Sequence, residues 1–106
     1  MQLQMDRSEE LIDSLMETAQ QRVSYHNYLI NEEVEEELKN FITSGIKRLS
    51  QSQLRDTATL RIATRNINDL VDLMYRNSRS RRLNETLDVS SLNYAMRAFC
   101  PRFPFC

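Results

Sequence analysis

Apolar residues recur at three- and four-residue spacing along most of this chain, and almost nothing interrupts them, so the sequence predicts an all-α fold of about four helices. The chain has one glycine, Gly45, and two prolines, both within its last six residues, which leaves little punctuation for tight turns or many short strands. Its 106 residues fit a single domain, 1–106, with 100–106 as an aromatic, proline-bearing tail. A chain of this size buries roughly 60 to 70% of its unfolded surface, enough for a modest core.

The first element is an amphipathic helix over 7–24, where Leu11, Ile12, Leu15, Met16, Ala19 and Val23 share a face. Asp6 with Glu9 has the spacing of a capping box at its start. Ser24 to Ile30 breaks the helical period and reads as a semi-buried connector. A second helix is expected over 32–44. Asn31 is placed to cap it, and Glu32, Glu33, Glu35, Glu36 and Glu37 follow where the helix dipole favours negative charge. Val34, Leu38, Phe41 and Ile42 form its buried stripe. Gly45 either ends this helix in a left-handed cap or lies within a helix that runs on through Ile46 and Leu49.

The third helix is expected over 51–81, with Leu60, Ala63, Ile67, Leu70, Val71 and Met74 on one face. The β-branched run from Thr57 to Ala63 offers an alternative, an extended segment followed by a shorter helix capped by Thr64. Beyond Arg82, Thr86 and Leu87 form a short extended step. Asp88 then caps a last helix over 89–99 whose face is Val89, Leu92, Ala95, Met96 and Phe99. Pro101 and Pro104 prevent that helix from continuing.

Composition argues against several classes of function. The formal charge is -1, so the chain as a whole is not a basic coat for nucleic acid. Charge is nevertheless segregated, acidic near 32–37 and basic near 76–82. No run approaches the roughly 18 apolar residues of a membrane span, and the opening residues lack the apolar core of a secretory signal. The expectation is a soluble intracellular protein, in which the sequon Asn84-Glu85-Thr86 has no consequence. A lone histidine, His26, has no evident nucleophile partner and reads as structural or surface. One glycine rules out a phosphate-binding glycine loop. Cys100 and Cys106 are too few for a structural zinc site and are expected as reduced thiols. Neither enzyme chemistry nor a cofactor, metal or small-molecule substrate is expected.

Two groups remain as candidates for function. Arg76, Arg79, Arg81 and Arg82 crowd the tip of the long helix, where guanidinium groups either grip phosphates and carboxylates or simply complement the helix dipole. Phe99, Phe103 and Phe105 give the tail an apolar load that either folds back or fills a groove on a partner. The sequence therefore points to docking, as a heterodimer or homodimer. Leu70, Val71, Met74, Leu92, Met96 and Phe99, with Phe103 and Phe105, are the expected interface.

Two family resemblances cover mainly residues 60–100. Ala63, Ile67, Leu70, Val71 and Met74 resemble the central helix of the histone fold, Arg79 to Asn84 its basic loop, and Thr86-Leu87-Asp88-Val89 the entry to its last helix. The TLDV step and the aromatic tail look most like histone-fold subunits of the transcription complexes TFIID and SAGA. That resemblance implies an interlocked dimer with an obligate partner, a nuclear location, and DNA or acidic surfaces near the loop arginines. The second resemblance is to the helical lid of AAA+ ATPases of the MCM type. It rests on Ile62-Ala63-Thr64-Arg65-Asn66-Ile67, Leu70-Val71 and Leu73, with Ser91-Leu92, Ala95-Met96-Arg97 and Phe99 as the closing helix. It implies a nucleotide-sensing role for Arg65, in a detached lid or an adaptor derived from one. A third reading is a self-contained helical bundle acting as a regulator or adaptor.

Overall fold

The computed structural model describes residues 7–78, 85–99 and 102–105, and these contain five helices and one pair of short strands. The all-α class is the fold observed. Helix α1, Arg7–Tyr25, starts and ends within a residue of expectation and buries Leu11, Ile12, Leu15, Met16, Ala19 and Val23. Asp6 lies outside the described residues. The helix stops because Asn27 enters the left-handed region at φ 61, a conformation that asparagine tolerates better than most side chains. Its amide bonds back to the Ser24 carbonyl at 2.9 Å, and the chain reverses.

The segment read as a connector then becomes a strand, β1, Tyr28–Ile30. Its partner is β2, Glu85–Leu87, and the two run parallel in the register Tyr28 to Glu85, Leu29 to Thr86 and Ile30 to Leu87. A three-residue strand has too weak a pattern to be read locally. It exists because a segment more than fifty residues away supplies the ladder partners that its amides need. Tyr28 and Leu87 point into the core, and Leu29 points out.

Helix α2, Glu32–Ile46, is capped as expected, with Asn31 Oδ1 accepting from the Val34 amide at 2.9 Å. It continues through Gly45, so the left-handed cap is not used, and the residue serves a different purpose. A β-carbon built there would lie 2.7 Å from the Phe105 ring and 3.0 Å from the Pro104 carbonyl oxygen. Glycine is what lets the C-terminal tail lie directly on α2. Phe105 is fully buried in that seat and stacks on Phe41, with ring centroids 5.4 Å apart. The Asn66 side-chain amide donates to the Phe103 carbonyl and ties the tail to the opposite wall.

Neither proposed start for the long helix is observed. Ser50 and Gln53 close a reciprocal capping box around a one-turn helix, α3, Gln51–Leu54, which ends by burying Leu54. Arg7 Nε donates to the carbonyl of Leu54 at 3.2 Å and satisfies one of the helix-end acceptors. Asp56 then caps a new helix, α4, Thr57–Asn77, through the Ala58 amide at 3.1 Å and the Thr59 hydroxyl at 3.3 Å. The β-branched run is helical because that cap holds its first turn and Thr59 and Ala63 face the core. The helix ends at Asn77, short of 81, where Ser78 turns extended at ψ 133. Helix α5, Val89–Phe99, has its expected boundaries and its Asp88 cap, with Oδ1 accepting from Ser91 at 2.9 Å.

Helix α4 is the central member, with α1 and α5 packed against it and α2 bridging α1 to α5. Leu15, Leu38, Ile42, Ile67, Leu70, Met74 and Leu92 have no appreciable exposure. No helix among the described residues is long and apolar enough to cross a membrane.

The seat at Gly45 yields a test. Gly45→Ala lowers stability by about 1 to 3 kcal/mol through overpacking, although alanine is the better helix former by about 1 kcal/mol. Phe105→Ala costs about 3 to 5 kcal/mol, and the double variant costs less than the sum of the two. Urea unfolding measures all three; a stabilised Gly45→Ala would refute the seat.

Candidate functional site

Most residues expected to form a docking face are core residues of this chain. Leu70, Val71, Met74, Leu92 and Phe105 are fully buried and Phe99 is 2% exposed. The 3.6-residue stripe marks what a helix buries, and α1, α5 and the tail meet that need internally. Met96 is half-buried and lines a shallow hollow of about 240 Å³ beside Phe41. Phe103 stays 47% exposed. Arg76 is exposed and borders a hollow of about 270 Å³ with Asp69, Leu73 and Arg102. Arg79, Arg81, Arg82, Cys100 and Cys106 lie outside the described residues.

The structure assembles a cluster that no sequence motif announced. Arg22, in the last turn of α1, makes two parallel hydrogen bonds to Asp72 of α4, Nε to Oδ1 at 2.7 Å and Nη2 to Oδ2 at 2.9 Å. His26 Nε2 lies 2.7 Å from the same Oδ1. The imidazole stacks on Tyr75 at 4.2 Å, and Tyr28 meets Tyr75 edge-on at 5.2 Å. Arg22 also lies over the Tyr25 ring at 4.4 Å. Its hydrogen bonds, and secondarily that of His26, hold the Asp72 carboxyl below its ordinary value against the opposing push of burial. The same pair raises the Arg22 guanidinium. The YHNY run was the only signal in the sequence, because Asp72 is 50 residues from Arg22 and 46 from His26.

This cluster closes one end of an open groove of about 640 Å³ on the outward side of α4. Thr57, Leu60, Arg61, Thr64, Arg65 and Asn68 form the rest of it. Arg65, the residue matched to a nucleotide-sensing arginine, is exposed here beside Arg61, one turn earlier. One turn before Asp72, Asp69 lies 3.5 Å from Arg102, whose guanidinium also lies over the Phe99 ring at 4.9 Å. Among the described residues no three His, Cys, Asp or Glu side chains converge as metal ligands.

No protein-family model matches the chain, and comparisons with characterised proteins and with solved structures return no significant match.

The depressed Asp72 carboxyl sets a pH dependence. Its contribution to stability is present above its ordinary value of 3.8 and is lost as pH falls through the lower value of the folded state. Asp72→Asn is expected to lower stability near neutrality by removing the carboxylate charge that pairs with Arg22. Urea midpoints of the wild type and this variant should converge on acidification below that range. A constant gap across the acid range would show that the carboxylate charge is irrelevant.

Proposed function

We propose that the chain is a non-catalytic interaction module, a helical bundle complete in itself that presents the outward side of α4 to another macromolecule. The observation that carries this reading is the burial of the α4 and α5 stripes and of Phe105 by the chain's own helices. An interlocked dimer of the histone-fold kind would draw on these same side chains, and β2 would not need β1 of its own chain as partner. A regulator or adaptor that binds through its exterior needs no such exchange.

The exposed position of Arg65 favours a second reading, an adaptor derived from an ATPase lid. In such a unit a closed bundle holds an outward arginine against a nucleotide bound elsewhere. With a single glycine in the chain, the phosphate-binding loop would belong to the partner. DNA contact through Arg76, Arg79, Arg81 and Arg82 would belong to the histone-like alternative.

Sedimentation equilibrium discriminates between these readings. The isolated chain is expected to be monomeric and to unfold in one cooperative transition. Leu70→Ala should lower its stability by about 2 to 5 kcal/mol without changing its mass. A dimer that dissociates on Leu70→Ala would restore the interlocked reading. Binding to duplex DNA that falls steeply with salt, and that an Arg79/Arg81/Arg82 triple alanine abolishes, would also favour it.

A further inference from the structure

Arg61 and Arg65 stand one turn apart on the outer side of α4, both exposed, and neither has an ion-pair partner among the described residues. That placement is locally unfavourable. Like charges at four-residue spacing repel on a helix surface. The nearest acids lie closer to other groups. Asp72 is held by Arg22 and His26, Asp69 faces Arg102, and Asp56 caps the helix. Two exposed arginines with no close ion-pair partner among the described residues give this part of α4 a local positive charge that an acidic group from outside the chain would complement.

The groove beside the two arginines offers Thr57, Thr64 and Asn68 as polar contacts and Leu60 as an apolar floor. Resting on the reading of the chain as a self-contained module, we infer that this groove receives an acidic helical segment of a partner protein, two of whose carboxylates pair with Arg61 and Arg65. Four-residue spacing on a helix spans about 6 Å along the axis, so glutamates one turn apart on an antiparallel or parallel segment match the arginine spacing. Each guanidinium presents a planar fork that a carboxylate fills with two hydrogen bonds. A nucleic acid strand fits less well. Its phosphates would continue along the groove onto Asp69 and Asp72, whereas a protein segment can place a neutral or cationic side chain there.

The test uses the full chain and three probes: an alanine-based helical peptide with glutamates at four-residue spacing, the same peptide with glutamine in their place, and a short DNA duplex. Fluorescence anisotropy should show the glutamate peptide binding, with affinity falling as salt rises. Arg61→Glu/Arg65→Glu should weaken that binding about tenfold or more, with its circular dichroism unchanged because both side chains are exposed. Lys47→Glu/Arg48→Glu, at the far end of α2, should leave it unaltered. Equal binding of the glutamine peptide would overturn the inference, as would tighter binding of the duplex with the same arginine dependence. Self-association that the arginine reversals abolish would overturn it too, since the occupant would then be the glutamate face of α2 in a second copy. Sedimentation of the same sample separates the two levels. A chain that is not monomeric defeats the module reading, whereas a monomer that ignores the glutamate peptide defeats only this inference.

Discussion

The apolar stripe of α4 is the constraint around which everything else is arranged. Ala63, Ile67, Leu70, Val71 and Met74 run along more than half of a 21-residue helix, and none has measurable exposure. Removing such a stripe from water contributes roughly 1.5 to 3 kcal/mol for each large side chain, which no isolated helix can realise. It therefore has to be covered along its length. Helices α1 and α5 both pack against α4, and Leu11, Leu15, Ala19 and Val23 of the first and Leu92, Ala95 and Phe99 of the second are buried. Because the covering helices come from the two ends of the described chain, packing them brings β1 and β2 together. The parallel strand pair follows from that helix packing and could not have nucleated it at three residues.

Polar contacts add specificity at the margins of this core. The bidentate Arg22 to Asp72 pair fixes how α1 lies against α4, since a planar guanidinium accepts a carboxylate in few orientations. The Tyr28, Tyr75 and His26 rings fill the space beneath it. At the other end of α1, Arg7 reaches the Leu54 carbonyl at the end of α3. The tail closes the remaining opening, with Phe105 seated over the one position on α2 that carries no side chain. Glycine weakens a helix, and its presence in the last turn of α2 is explained by this close approach rather than by any turn.

With the core completed internally, the outward side of α4 stays open to solvent. Two arginines repel one another there, while acids a turn or two further on are already matched.

Helices α1, α2 and α5 were legible from the sequence, caps included at α2 and α5, because their stripes are local and Asn31 and Asp88 cap through hydrogen bonds to amides three residues on. The long helix was legible as a helix but not in its start. Ser50, Asp56 and Thr64 all have capping chemistry, and only the burial of Leu54 and Thr59 selects the first two. The same periodicity that located the stripes could not say whether they would face a partner or the chain's own helices, since burial leaves one sequence pattern whoever supplies the other surface. The strand pair, the Arg22, His26 and Asp72 cluster and the seat of Phe105 on Gly45 were decided by tertiary structure alone. Each joins residues about 46 to 60 positions apart, and a pairing at that range is set by how helices pack, which no local spacing encodes.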